Sequence, residues 1–178
     1  MHTGQQTKSE QLRVHIRWMI RRDMPEVLQV EQESFAYAWS EEDFLHCLRQ
    51  RNCIGMVAEQ ADKVVGYMIY ELHKTKLHIV NLAVHPTWRR RGVGRQMVAK
   101  LVSKLSSHRR TRISLEVRET NLAAQLFFRA LEFLAIKVAR GYYDDTGEDA
   151  YLMQYQLPGD SAEETEEPIN RIAHYEES

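Results

Sequence analysis

Two places in the chain hold residues whose types and spacing could do chemistry. The first is Arg89-Arg90-Arg91-Gly92-Val93-Gly94-Arg95, a basic turn with two glycines that runs into a stretch of helical spacing. Such a turn can hold an anion, because the first helical N–H groups lack intrahelical partners and the helix dipole puts partial positive charge there. Gly92 and Gly94 remove side chains that would keep a diphosphate from the backbone, and Arg89, Arg90, Arg91 and Arg95 add guanidinium groups suited to phosphate oxygens. Neither GxxxxGK(S/T) nor GxGxxG is present, since Met97 stands three residues after Gly94. Taken alone, a solvated basic helix start fits this stretch as well. The second place is Glu116, in a run where Ile113, Leu115 and Val117 alternate with Ser114, Glu116 and Arg118. On a strand, that alternation turns Glu116 away from the apolar side, where a carboxylate can act as a general base. An exposed glutamate paired with Arg118 is the plain alternative.

The elements that must position these residues can be read from the pattern. Residues 13–20 alternate as a first strand, and Asp23-Met24-Pro25-Glu26 reads as a capped helix start ahead of Val27, Leu28, Val30 and Phe35. Ser40 is a cap for a second helix with Phe44, Leu45 and Leu48 on its buried stripe. Residues 55–60 and 64–72 form strands around an Ala61-Asp62-Lys63 hairpin, and 77–84 form another strand ended by His85-Pro86. A helix over 96–107 follows the glycine turn, with Met97, Val98, Leu101, Val102 and Leu105 on one face. Then come a strand at 112–118, a helix from Thr120-Asn121 to about Leu131, and strands at 135–140 and 151–157. The order predicts an α/β (α+β) domain with a mixed sheet.

Length and charge limit the function. The chain has 178 residues, 43% hydrophobic and 28% charged, which suits one globular domain. No apolar run is long enough to span a bilayer, and the first residues lack the apolar region of a secretory signal, so a cytoplasmic location and no membrane partner are expected. Cys47 and Cys53 follow no CxxC pattern and the histidines no HExxH pattern, so no metal site is expected. The net charge of −1 divides unevenly, with −6 over 158–178 and +5 before it. Residues 1–12 are expected to be a flexible extension, 13–157 the folded domain, and 158–178 an acidic, disordered tail. Lys100, Lys104, Arg109, Arg110 and Arg112 extend the positive stretch, but no aromatic residues interleave with them, which argues against nucleic acid.

Together these elements resemble the GNAT acetyltransferase superfamily over nearly all of 13–157. Its acyl-CoA loop pattern, Q/R-x-x-G-x-G/A, is matched by Arg89-Arg90-Arg91-Gly92-Val93-Gly94. Phe35-Ala36-Tyr37-Ala38-Trp39-Ser40, Asn81-Leu82-Ala83-Val84-His85-Pro86 and Leu115-Glu116-Val117-Arg118 look like the N-terminal acetyltransferases, most of all the ribosomal-protein-alanine branch. Asn121-Leu122-Ala123-Ala124, Tyr142-Tyr143 and Gly147-Glu148-Asp149-Ala150-Tyr151 complete the match.

The resemblance implies a mostly antiparallel central sheet flanked by helices, with strands that splay at the acyl-CoA site. It implies that backbone groups of Leu82, Ala83 and Val84 hold the acetyl and pantetheine part of acetyl-CoA. Residues Arg89 to Arg95, Val93 included, would take the diphosphate, and Asn121 would hydrogen-bond the cofactor. Glu116 would be the general base, and Tyr142 and Tyr143 would help form the acceptor groove. The acceptor would be a protein N-terminus, a ribosomal protein among the candidates, and the enzyme a monomer or weak dimer. A lysine side chain or small amine as acceptor, and a non-catalytic acyl-CoA-binding or interaction module, are the alternatives.

Two positions depart from the family. Phe128 stands where a tyrosine acid is usual, and Glu132 where a glycine precedes the aromatic residue, here Phe133. Three explanations are open for Phe128: Tyr142 or Tyr143 supplies the proton, the thiolate leaves without one, or the enzyme is slow or altered in substrate. His78 lies near a second-base position of some relatives, although a lone histidine is expected to be structural.

Overall fold

A computed structural model describes residues 12–159. Its elements are β1 (His15–Trp18), α1 (Met24–Ser34), α2 (Glu41–Leu48), β2 (Cys53–Gln60), β3 (Lys63–Leu72), β4 (Lys76–Val84), α3 (Val93–Val102), β5 (Arg112–Arg118), α4 (Leu122–Ala130), β6 (Leu134–Ala139) and β7 (Ala150–Gln156). The strands form one sheet in the order β1-β2-β3-β4-β5-β7-β6, antiparallel except where β4 runs beside β5. This is the expected fold class. The extensions expected before residue 13 and after residue 157 lie, apart from Leu12, Pro158 and Gly159, outside the described residues. Among the described residues no helix is long and apolar enough to cross a membrane.

Two hydrophobic cores sandwich the sheet. On one side Met24, Val27 and Val30 of α1 and Phe44 and Cys47 of α2 pack with Val57, Tyr67 and Ile69. On the other, Val93, Met97, Val98 and Leu101 of α3 and Phe128 of α4 pack with Met56, Met68, Tyr70, Ile113 and Leu115. Tyr67, Met68, Ile69 and Tyr70 of β3 alternate between the two, and Val64 and Val65 divide between them as well, which is why that strand reads as continuously apolar. The β2–β3 hairpin turns on Ala61 and Asp62, both at positive φ, between the paired Gln60 and Lys63.

Local chemistry at the helix ends differs from the sequence reading in two places. Ser40 caps α2 as expected, accepting from the Asp43 N–H at 3.2 Å while Asp43 accepts from the Ser40 N–H at 2.8 Å. Asp23 does not cap α1 with its side chain; its carboxylate takes the Arg17 guanidinium at 2.7 and 2.9 Å and the Ile20 N–H at 2.8 Å. A two-pronged bond to a cation outcompetes a neutral N–H cap. Glu26 likewise reaches across to the Val64 N–H at 2.7 Å and plays no part in a capping box.

The end of α4 explains the usual glycine that Glu132 replaces. Phe133 N–H bonds to the Phe128 carbonyl and Glu132 N–H to the Arg129 carbonyl, both at 3.0 Å, which is the Schellman arrangement. It puts Glu132 in the left-handed region at φ +67, where a side chain is strained. Glu132→Gly is expected to stabilise the fold by about 1 kcal/mol, raising Tm by about 2–4 °C in a thermal melt, with activity unchanged.

Candidate active site

The site begins with a break in the sheet. β4 and β5 pair over only Lys76–His78 and Arg112–Ser114, after which β5 stays with β7 while β4 stays with β3. Beyond that last rung the strands splay, and a cleft of about 420 Å³ opens between residues 79–82 of β4 and 115–118 of β5. The start of α4 (Asn121, Ala124 and Phe128) closes one side, and the α1–α2 connection, from Phe35 to Trp39, closes another.

The glycine turn lies where β4 ends. Gly92, at φ +83, is the N-cap of α3, so Val93, Gly94 and Arg95 present the free N–H groups of the first turn. A side chain at Gly94 would press on the Phe127 ring, whose Cζ would be 3.0 Å from its Cβ. No acid stands in this first turn; Arg95 does, a charge the helix dipole disfavours unless an anion sits there. The four arginines divide their work. Arg89 turns inward, donating to the Val84 carbonyl at 2.9 Å and the Ser34 hydroxyl at 3.0 Å, so it fixes the turn to β4 and α1. Arg91 lies over the Trp88 ring at 5.1 Å. Arg90 and Arg95 are exposed, and neither forms a side-chain bond among the described residues. Of the β4 residues, Leu82 lines the cleft, Ala83 is buried in the α1-side core, and Val84 carries the carbonyl held by Arg89. Asn121 caps α4 through Oδ1, which accepts from the Ala124 N–H at 3.1 Å and leaves the amide nitrogen for a ligand.

Glu116 stands on the cleft wall with a partner other than Arg118. His78 Nε2 lies 2.9 Å from its carboxylate, and His78 Nδ1 lies 2.8 Å from the buried Ser114 hydroxyl. His78 and Ser114 form the last rung before the splay, and Glu116 stands two residues beyond it on β5. Glu116, with 22% of its side chain exposed, lines the cleft, and His78, at 16%, backs it.

The far lip is built from the β6–β7 loop. Arg118 donates to Asp145 at 2.5 and 3.0 Å, touches Glu148 at 3.5 Å and stacks on Tyr143 at 3.8 Å, with Tyr37 5.5 Å away across the cleft. The guanidinium holds Asp145 below its usual range, and the Thr120 hydroxyl, more than Arg118, does so for Glu148. Burial pushes the Tyr143 hydroxyl up to about 12 against the opposing pull of Arg118, with Tyr142, Glu116 and Glu148 adding to the rise. Tyr142, half exposed and edge-on to Tyr143, is also raised, first by burial and then by Glu116 and Glu71.

The Acetyltransferase (GNAT) family model matches residues 16–133. The chain belongs to this family. It is therefore an acetyl-CoA-dependent N-acetyltransferase. The ribosomal protein bS18-alanine N-acetyltransferase of Salmonella typhimurium is 30% identical over 133 residues, covering 74% of this chain and 89% of that protein. The crystal structure of the ribosomal-protein-S18-alanine N-acetyltransferase from Escherichia coli superposes with a TM-score of 0.73 at 26% identity, covering 85% of this chain and all of that one. Ard1 from Thermoplasma volcanium also gives 0.73 at 26% identity, over 81% and 97% of the two chains.

Arg90 and Arg95 are the two arginines of the turn left free to meet an anion. Replacing both Arg90 and Arg95 by alanine is expected to raise the acetyl-CoA KM about fivefold to tenfold, with kcat at saturation kept and a flatter salt dependence. Phe128 is buried edge-on between Phe127 and Phe133, so no hydroxyl stands at the usual acid position. The sequence reading names His78 near a second-base position while expecting it to be structural, and gives no role to Glu31, Tyr37, Thr120 or Glu148. Glu31 carried a signal, as an acid one turn after Val27 in the buried stripe of α1.

Proposed function

We propose that this GNAT enzyme acetylates the α-amine of a protein N-terminus, a ribosomal protein being the acceptor that the names of its relatives suggest. The observation that carries the reading is the Glu116–His78 pair beside the splay, facing a lip of Tyr37, Tyr143 and Arg118 that can receive an extended peptide end. An α-ammonium of pKa about 7.7–8.0 is already partly neutral at pH 7, whereas lysine near 10.4 is almost wholly protonated. A carboxylate backed by an imidazole suits the first task.

In the proposed reaction Glu116, directly or through a water, takes one proton from the attacking amine, and His78 shares that charge. The amine nitrogen attacks the thioester carbonyl, whose oxygen is held by backbone N–H groups of β4 beyond its last rung with β5. The C–S bond then breaks. Burial raises both the Tyr142 and the Tyr143 hydroxyl, which makes each a weak acid toward a thiolate of pKa about 8.5, so this reading gives them the groove wall. The thiolate leaves without a proton from a side chain, consistent with Phe128. The work is done by a monomer or weak dimer in the cytoplasm.

Mass spectrometry of peptides incubated with enzyme and acetyl-CoA tests this. Acetylation of free N-termini, lost when they are blocked, is expected. Transfer to internal lysines of blocked peptides would overturn it in favour of a lysine acetyltransferase.

A further inference from the structure

One carboxylate is buried in the wall of this cleft and takes no part in the chemistry above. Glu31 lies in the last turn of α1 with only 1% of its surface exposed. A buried charge is costly, and a negative one at the C-terminal end of a helix is doubly disfavoured. What offsets the cost is three donors from three separate elements. One carboxylate oxygen accepts the backbone N–H of Trp39, in the α1–α2 connection, at 2.7 Å. The other accepts the Tyr67 hydroxyl of β3 and the Asn81 side-chain amide of β4, the latter at 3.3 Å.

These partners matter because of where they stand. Trp39 ends the Phe35–Trp39 segment that carries Tyr37, the residue facing Arg118 across the cleft. Asn81 lines the cleft on β4, opposite Ile69, beside the irregularity at Ile69/Tyr70 where β4 diverges from the β5 ladder. Neither the segment nor the splayed half of β4 has a β5 partner to fix it. Glu31 therefore bonds the α1–α2 connection to β3 and β4, which stay paired with each other beyond the last β5 rung. The cofactor turn at Gly92–Arg95 is held separately, by Arg89 to Val84 and Ser34.

We infer that Glu31 is a positioning residue for acceptor recognition: its carboxylate preforms the acceptor lip by tying Trp39 to Tyr67 and Asn81. This rests on the acceptor entering between Tyr37 and Tyr143. Losing the tie costs ordering entropy when the acceptor binds and leaves the acetyl-CoA site as it was.

The test is Glu31→Ala with steady-state kinetics on a free-N-terminus peptide, together with hydrogen exchange at the Trp39 amide. The acceptor KM is expected to rise about tenfold or more, the scale of one hydrogen bond to a charged group, while the acetyl-CoA KM stays within about twofold. Exchange at residues 35–39 should quicken while that of α3 is unchanged. Tyr67→Phe, which removes one donor and keeps the ring, should give a smaller change of the same kind, and it decides the matter if Glu31→Ala does not fold. Equal loss at both substrates, or no change at either in a folded variant, would overturn the inference. The exchange readout needs no acceptor, so it answers even if the wild-type enzyme acetylates no peptide N-terminus, a result that would defeat only the functional reading.

Discussion

Glu116→Gln should lower turnover by about 10²-fold or more while leaving acetyl-CoA affinity intact. Glutamine keeps the shape of the side chain and an oxygen that can accept from His78 Nε2, so the wall of the cleft is preserved. What it loses is the ability to take a proton, and the attacking amine must then shed its proton to water. Acetyl-CoA binding, read by calorimetry, should not move, because the residues assigned to the diphosphate are on the α3 turn. His78→Phe is expected to cost about tenfold, and the double variant should be no slower than Glu116→Gln alone, since two groups that share one proton act as a unit. Turnover unchanged in Glu116→Gln would remove the carboxylate from the role, and full additivity would separate the histidine from it.

That pairing also marks how far the sequence could be read. The face of Glu116 was legible, because β5 alternates cleanly and a period of two leaves no freedom once Ile113, Leu115 and Val117 are buried. Its pairing with His78 was not legible in any local pattern, although the resemblance put His78 near a second-base position. His78 meets Glu116 only because β4 and β5 are parallel and in one particular register, and that register depends on long-range packing that no local pattern records. The turn at Gly92 was legible as the entry to a helix, yet the helix was expected to start at 96 and starts at Val93. A left-handed N-cap at Gly92 lets the helix begin at Val93 and run through Gly94 despite glycine's poor helix propensity. The division of labour among the arginines was hidden for the same reason as His78: Arg89 finds its acceptors on β4 and α1, 5 and 55 residues away in sequence.

Arg118 is where the proposed acceptor lip can be tested. Arg118→Ala should lower kcat/KM for the acceptor peptide by about 10- to 100-fold, mostly through KM, with the acetyl-CoA KM little changed. The guanidinium makes a two-pronged bond to Asp145, a contact with Glu148 and a stack on Tyr143. Losing it releases the β6–β7 loop from β5. Arg118→Lys should recover only a small part, because an ammonium can neither fork onto a carboxylate nor lie flat on a ring. The same clamp fixes a pH dependence. Asp145 and Glu148 have lowered folded-state pKa values, so their contribution is fully present above the ordinary carboxylate range, near pH 4, and is lost as pH falls through the depressed values. Proteolysis within the 140–149 loop should therefore stay slow from neutral pH down to about 4 in the wild type and be fast throughout in Arg118→Ala. A loop equally protected in both, or an acceptor KM that ignores Arg118, would mean that the tyrosine lip stands without its arginine.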